Sequence, residues 1–180
     1  MITQDVLNEF DRFLEKRGIR AELLIVGGTA LQLMGLRTIA TQDVDAISQI
    51  NDTLRLAVRE FATLHALPTD WINDRARITL LDYLMHGYGV DQVSPVFSGR
   101  ALTLVCPSRE NLILSKFCAL VDRGSPQDLA DLQGLVKEAI SNEKLAELIK
   151  YFLSREGATG GDTKKAEAAL AVVTSLLSRP

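Results

Sequence analysis

The stretch that decides the fold is residues 22–47, which read ELLIVGGTALQLMGLRTIATQDVDAI. Its apolar run is short and ends at two glycines, Gly27 and Gly28, so we expect a buried strand over Leu23–Val26. Two aspartates, one residue apart, open the next apolar segment and predict a second strand over Asp43–Ile47. This arrangement brings a glycine backbone next to two carboxylates.

Composition limits what the rest of the chain can be. The 180 residues are 47% hydrophobic, enough for one core or one core with a helical appendage. The formal net charge of -3 argues against a broad basic surface for nucleic acid. No run approaches the about 18 apolar residues of a membrane span, and residues 1–10 lack a basic leader. We therefore expect a cytoplasmic protein, with Cys106 and Cys118 reduced and buried.

Periodicity predicts alternating helices and strands in the first part of the chain. Apolar residues at helical spacing follow Thr3 and stop at Gly18. The remaining expectations are a short helix over Thr29–Met34 ended by Gly35, a helix capped by Asp52, and strands over Ile78–Leu81 and Leu102–Val105.

Beyond residue 107 the pattern is helical only. Helix starts are predicted at Ser108, at Ser125-Pro126, at Ser141 and at Asp162, the last after the linker-like stretch REGATGGDTK. The predicted fold class is therefore α/β (α+β), with a short mixed sheet and packed helices. We expect an α/β domain over residues 1–107 and a helical part over residues 108–180.

The two aspartates point to a metal site. Side chains at i and i+2 of a strand share a face, so Asp43 and Asp45 would project together while Val44 and Ala46 face the core. Two carboxylates this close repel unless a cation lies between them. Mg²⁺, or Mn²⁺ in its place, suits such a pair because it prefers oxygen ligands and completes its shell with water and phosphate.

The glycines would provide a place for that phosphate. Without a Cβ they let a phosphate approach the backbone, and the helix start at Thr29 offers free N–H groups. Each motif alone has an ordinary structural explanation: Gly-Gly is a common strand-to-helix turn, and Asp-x-Asp is commonly a solvated strand end. The two motifs together, at this spacing, indicate a metal and phosphate site more strongly than either motif alone.

Together, these motifs resemble the signature of the nucleotidyltransferase superfamily, the polymerase-beta-like fold. VGGTAL with LRTIATQDVD is similar to the bacterial AbiEii-type toxins and related uncharacterised nucleotidyltransferase domains. One departure from the family pattern is that fourteen residues separate Gly28 from Asp43, at or slightly beyond the long end of the superfamily spacing. The resemblance spans roughly residues 22–135.

A second part of the resemblance lies in NLILSKFCALVDRGSPQDLADL. There the family carries a lysine, an arginine and an Asp-x-x-Asp segment, matched by Lys116, Arg123, Asp128 and Asp131. A lysine among core residues needs an anionic partner, which a triphosphate would supply. The alternative is that Lys116 extends to solvent and that Asp128 only favours the first turn of its helix.

The resemblance also implies a third carboxylate on a later strand, acting as base toward the attacking hydroxyl. The candidates are Asp91, the first choice, and Asp82. The histidines His65 and His86 lack metal-ligand spacing, and Trp71 is expected to be a packing anchor.

The function implied by the resemblance is transfer of a nucleoside monophosphate from a nucleoside triphosphate to an acceptor hydroxyl. The acceptor stays open among an RNA end, a protein side chain and a small molecule. The alternative is a catalytically weak binding module, for instance a toxin–antitoxin component with a partner protein. The implied catalytic residues are Asp43, Asp45, Asp91 and Lys116, and the implied nucleotide-binding residues are Gly27, Gly28, Thr29, Arg37, Lys116 and Asp128.

Overall fold

The structure is a computed structural model that describes residues 1–37, 41–84, 92–136 and 140–177. These residues form eight helices and five strands, which confirms the predicted mixed fold class. In chain order the elements are α1 Gln4–Lys16, β1 Ala21–Val26, α2 Gly27–Leu33, β2 Val44–Ala46, α3 Asp52–His65, β3 Ile72–Asn73, α4 Ala76–Leu84, β4 Ser94–Ser98, β5 Leu102–Cys106, α5 Arg109–Arg123, α6 Pro126–Val136, α7 Asn142–Ala158 and α8 Thr163–Leu177.

The chain divides into two compact units. The first, here called the sheet unit, comprises Met1–Leu81 and Val90–Ser108. The second, the helical unit, comprises Asp82–Gly89 and Arg109–Pro180. No helix among the described residues is both long enough and apolar enough to cross a membrane.

The sheet unit is built on five strands in the order β3-β2-β1-β5-β4. The central strand β1 is antiparallel to β2 and parallel to β5, while β2 and β3 are parallel. The register places Val26 of β1 opposite Asp45 of β2, and Asp45 opposite Asn73 of β3. Asp45 therefore lies in the sheet between the residue that precedes the glycine turn and a buried asparagine.

Aromatic side chains fill the core between α1 and α3. The ring centroid of Phe10 lies 5.0 Å from that of Phe61 and 5.1 Å from that of Trp71. Trp71 is completely buried, and its indole N–H donates to the carbonyl of Val58. The tryptophan is thus the packing anchor that the sequence predicts.

A buried carboxylate fastens α1 to the turn between β4 and β5. Asp11 accepts backbone N–H groups from Arg100 at 3.1 Å and from Ala101 and Leu102 at 2.8 Å each. Burial raises the pKa of Asp11, but the three N–H donors and the Arg100 charge outweigh it, and the net pKa is lowered. A Cβ on Gly99 would collide with the Asp11 carboxylate, so a larger residue at that position would displace this carboxylate from its N–H donors.

Three expectations within the sheet unit and at its border need correction. Residues Ile78–Leu81, predicted as a strand, lie in helix α4, and Ile78 is 82% exposed. A short apolar run does not distinguish helix from strand by periodicity alone. Helix α2 begins at Gly27 rather than Thr29, and α3 is capped by Asn51, whose side chain accepts the N–H of Leu54, rather than by Asp52. The strands β3 and β4 were not predicted.

In the helical unit the predicted helix starts agree with the structure. Pro126 is the first residue of α6, and the Ser141 side chain accepts the N–H of Lys144 at the start of α7. Asp162 likewise accepts the N–H of Lys165 at the start of α8. Helix α7 continues to Ala158, so the predicted linker is mostly helical and only residues 159–162 separate the two helices.

Candidate active site

Asp43 and Asp45 have the predicted orientation relative to the core. Val44 and Ala46 are completely buried, whereas Asp43 and Asp45 are both half-buried. This alternation is the one expected of a strand with a single face against the core. The two carboxylates are therefore presented at the accessible side of β2.

Gly27 lies directly against one of these carboxylates. Its φ is +74°, a backbone conformation that L side chains rarely adopt. A Cβ built on it would come within 2.6 Å of the Asp45 Oδ2. Both conformation and space therefore require glycine here, and the Asp45 carboxylate touches the backbone at the first residue of α2.

Gly28 makes room for a cationic side chain. A Cβ at this position would lie 2.8 Å from Nη1 of Arg37 and 3.3 Å from Cβ of Thr41. The Arg37 guanidinium consequently packs over the start of α2. The N-cap residue of this helix, Val26, supplies no side-chain hydrogen bond to its N–H groups.

Two threonines hold Asp43 in place. The Thr29 hydroxyl donates to the Asp43 carbonyl. Thr41 is 7% exposed, and its hydroxyl oxygen lies 3.1 Å from Oδ1 of Asp43 and 3.4 Å from the Asp43 backbone nitrogen. The sequence reasoning missed Thr41, although a threonine two residues before an aspartate is a known signal for local side-chain-to-backbone bonding.

Asn73 is the second residue that sequence reasoning missed. It is 4% exposed, and its amide Nδ2 lies 3.4 Å from Oδ1 of Asp45. Its own Oδ1 accepts the backbone N–H and the side-chain Nε–H of Arg75, both at 3.2 Å. A strand of two residues leaves no alternation to recognise, so no sequence pattern marked this position.

The third carboxylate stays a prediction. Asp91, the first choice, lies outside the described residues, and Asp82 is an exposed residue of helix α4 rather than of a strand. Within the described residues, no group of three or more His, Cys, Asp or Glu side chains could hold a metal ion. The acid next to Asn73 in the chain, Asp74, instead accepts the N–H of Ile50 and a guanidinium N–H of Arg55.

Lys116 forms a buried ion cluster inside the helical unit. Its Nζ lies 3.1 Å from Oδ1 of Asp128 and 2.7 Å from Oδ2 of Asp131, and Lys116 itself is 5% exposed. Arg123 reaches the same Asp128 oxygen at 2.9 Å. The lysine therefore does not extend to solvent, and the anionic partners that it needs are the two aspartates of the Asp-x-x-Asp segment.

The predicted site residues that the structure describes thus form two groups, each within one unit. The first group belongs to the sheet unit and comprises Asp43 and Asp45 with the residues around them, Gly27, Gly28, Thr29 and Arg37. Lys116 and Asp128 belong to the ion cluster of the helical unit.

Cys106 is buried, as the sequence predicts, whereas Cys118 is only partly buried. Burial raises the pKa of the Cys106 thiol to about 12, and it also raises the pKa of Cys118, so both remain unreactive thiols. His65 stacks on Phe61 with ring centroids 3.9 Å apart and contacts Glu9. His86 lies outside the described residues.

Comparison with known protein families gives a match over most of the chain. Residues 4–158 match DUF6036, a family described as a nucleotidyltransferase of unknown function. No curated protein and no solved structure matches the chain. The match supports the nucleotidyltransferase superfamily and leaves the finer resemblance to AbiEii-type toxins as a prediction. Since the match covers most of the chain, this protein belongs to the DUF6036 family of nucleotidyltransferases of unknown function.

Proposed function

We propose that this protein transfers a nucleoside monophosphate from a nucleoside triphosphate to an acceptor hydroxyl, with a divalent cation held by Asp43 and Asp45. The observation that carries the proposal is the contact between Asp45 and Gly27. A carboxylate that touches a side-chain-free backbone turn, with a second carboxylate two residues away, is an arrangement suited to a metal-bound phosphate.

The residues present fit a hard divalent cation. Asp45 of β2 and Asp43, the residue directly before that strand, are half-buried oxygen donors. Mg²⁺ typically uses one or two protein carboxylates and fills its remaining positions with water and substrate phosphate, and Mn²⁺ accepts the same ligands. When bound, the cation would stabilise the negative charge that develops on the phosphate oxygens.

Arg37 and the two glycines would receive the triphosphate. The Arg37 guanidinium lies where a side chain of residue 28 would otherwise be, so its charge is close to an accessible backbone. A guanidinium binds phosphate oxygens in a bidentate manner and stays charged at all relevant pH values. We assign Arg37 to phosphate binding, together with the backbone of Gly27, Gly28 and Thr29.

The reaction forms one bond and breaks another. The acceptor oxygen bonds to the α-phosphorus, the bond from that phosphorus to its bridging oxygen breaks, and pyrophosphate leaves. The hydroxyl proton passes to a carboxylate base, for which we propose Asp91. The acceptor is an RNA end, a protein side chain or a small molecule.

Lys116 and Asp128 are already paired with each other, so a role of Lys116 in phosphate binding would differ from that of Arg37. As a phosphate ligand, Lys116 would have to exchange part of its contact with Asp128 or Asp131 for contact with the nucleotide. A buried lysine that already has two carboxylate partners gains less from a phosphate than an unpaired one would. The direct role of Lys116 is therefore tested separately from that of the two aspartates in the sheet unit.

Label transfer tests the proposal directly. The protein is incubated with each α-labelled nucleoside triphosphate, Mg²⁺, and total cellular RNA, protein or metabolite extract in turn. We expect label in one acceptor pool with wild type and none with the Asp43→Asn/Asp45→Asn variant. Label in no pool, together with equal nucleotide affinity of both proteins with and without Mn²⁺, would refute the proposal.

One observation favours a second candidate function, a binding module with little transferase activity. Among the described residues, the strand position beside Asp45 is filled by the neutral amide of Asn73 instead of an acid. Such a module, for instance a toxin–antitoxin component, would bind triphosphate and Mn²⁺ through Asp43 and Asp45 without labelling any acceptor. A partner protein that co-purifies with it would then account for its action.

A further inference from the structure

We propose that Asn73 is a positioning residue that fixes the orientation of the Asp45 carboxylate for cation binding. The proposal rests on the proposed function in one respect, namely that Asp45 binds a cation. It concerns a residue of strand β3 that belongs to neither motif of the sequence.

The sheet register brings the two side chains together. Asp45 and Asn73 are direct partners on the parallel strands β2 and β3, so their side chains leave the sheet on the same face. Asn73 is 4% exposed, and an amide so deeply buried needs hydrogen-bond partners for both of its ends. Its position is therefore set by the sheet and its orientation by its hydrogen bonds.

Arg75 determines which end of the amide faces Asp45. The Asn73 Oδ1 accepts two N–H groups from Arg75, and an amide nitrogen could accept neither of them. The NH₂ group must then be on the side of Asp45, where it donates to Oδ1 at 3.4 Å. With Oδ1 restrained in this way, Oδ2 of Asp45 is the oxygen that lies against Gly27.

The neutral amide also sets the charge of the site. An acid at position 73 would face Asp45 within hydrogen-bond distance and add a third negative charge next to Asp43 and Asp45. The chain does carry an acid at the adjacent position, Asp74, but its carboxylate binds Ile50 and Arg55. As a result, the Asn73 amide presents a hydrogen-bond donor to Asp45, while the Asp74 carboxylate is occupied by hydrogen bonds that stabilise the fold.

The test uses the isosteric change Asn73→Asp. This variant keeps an acceptor for both Arg75 groups and replaces only the donor toward Asp45. Asn73→Leu, of similar size, removes both ends and is the control for a purely structural role. The double variant Asp45→Asn/Asn73→Asp exchanges the two groups and restores one donor facing one carboxylate. All are compared as full chains by thermal unfolding with and without Mn²⁺, and by Mn²⁺ titration in the presence of a non-hydrolysable triphosphate.

Asn73→Asp should unfold several degrees below wild type without a cation, because two carboxylates then face each other. Mn²⁺ should close this difference in stability by binding Asn73→Asp, in which a third carboxylate replaces the amide, on the order of tenfold more tightly than wild type. Asn73→Leu, which leaves Asp45 without its restraining donor, should bind Mn²⁺ more weakly than wild type. The exchanged pair should recover the cation-free stability, which Asn73→Leu does not.

Two results would overturn the assignment. One is a cation-free stability of Asn73→Asp equal to that of wild type. The other is an equal loss of stability in Asn73→Asp and Asn73→Leu that Mn²⁺ leaves unchanged while wild type still binds Mn²⁺. If wild type and Asp43→Asn bind Mn²⁺ equally, the proposed function fails instead, and the cation-free comparison with the exchanged pair still decides whether Asn73 orients Asp45.

Discussion

The Nζ of Lys116 lies 2.7 Å from Oδ2 of Asp131, and both side chains are almost completely buried. Asp128 holds the same ammonium at 3.1 Å. This cluster stabilises the fold only when all its partners are present, because removal of one partner leaves an uncompensated buried charge.

Lys116→Met should therefore reduce the free energy of unfolding by about 3–5 kcal/mol. The methionine keeps the length and apolar stem but leaves Asp128 and Asp131 without their cation. Urea unfolding measures the loss, and Lys144→Met, which removes a lysine whose ion pair with Glu147 lies at the surface, is the control with little expected effect.

Triphosphate affinity of Lys116→Met at two ionic strengths separates the two roles of this lysine. A direct phosphate contact predicts weaker binding, with a difference that shrinks as salt is raised. Unchanged affinity at low salt in a folded variant would restrict Lys116 to stability.

Gly27→Ala should both destabilise the protein and weaken Mn²⁺ binding. The added methyl group would meet Oδ2 of Asp45 at 2.6 Å, in addition to the strain of a φ of +74°. Gly35→Ala is a closely matched control, because Gly35 has the same φ and open space around it. The strain alone costs about 1 kcal/mol.

The additional loss of unfolding free energy in Gly27→Ala, compared with Gly35→Ala, then measures the cost of the contact with Asp45. Equal unfolding midpoints of the two variants, with unaltered Mn²⁺ affinity, would show that this contact has no consequence.

The Asp11 clamp should make stability depend on pH in the acid range. The pKa of Asp11 is lowered in the folded protein relative to its ordinary value of 3.8. Its stabilising contribution is therefore complete above that value and is lost as the pH falls through the lower folded pKa. Asp11→Asn should cost about 2 kcal/mol near neutral pH, because an amide oxygen replaces a charged acceptor of three N–H groups.

The measurement is urea unfolding from pH 7 down to pH 2. The difference in the free energy of unfolding between wild type and Asp11→Asn should become smaller toward the acid end. Asp5→Asn, a change on the exposed surface of the same helix, should leave the profile nearly parallel to that of wild type. A gap that stays constant over the whole range would contradict the assignment.

Trp71 should serve as a fluorescent reporter of the sheet unit. It is the only tryptophan of the chain and is completely buried among Phe10 and Phe61. We expect a blue-shifted emission and weak quenching by acrylamide, both lost on unfolding. Emission at the wavelength of free tryptophan in the folded protein would contradict this burial.

The sequence predicted the parts of the fold that carry strong periodicity or clear end signals. Helix α1, strand β1 and the starts of α6, α7 and α8 agree with the structure because capping residues and apolar spacing act locally. Ile78–Leu81 was wrong because four apolar-rich residues fit either helix or strand, and tertiary packing decides between them.

The position of the glycine turn beside Asp45 was predicted, because Gly27 and Asp45 both belong to local motifs. Asn73 could not be predicted, since its role arises from the register of two short strands that are distant in sequence. Lys116 was expected either to bind a triphosphate or to extend to solvent, and only the packing of α5 against α6 shows that its partners are Asp128 and Asp131.

The pairing of Val26 with Asp45 has a consequence for how the protein tolerates error. Strand β2 has only three residues, and a slip of one position would turn Asp45 into the core and bring Val44 or Ala46 to the glycine turn. Such a slip would bury a carboxylate and expose an apolar side chain at once, which is costly on both counts. The two small apolar residues that flank Asp45 thus fix the register of β2. Insertions or deletions that shift this register should prevent folding rather than give a folded protein with a displaced site.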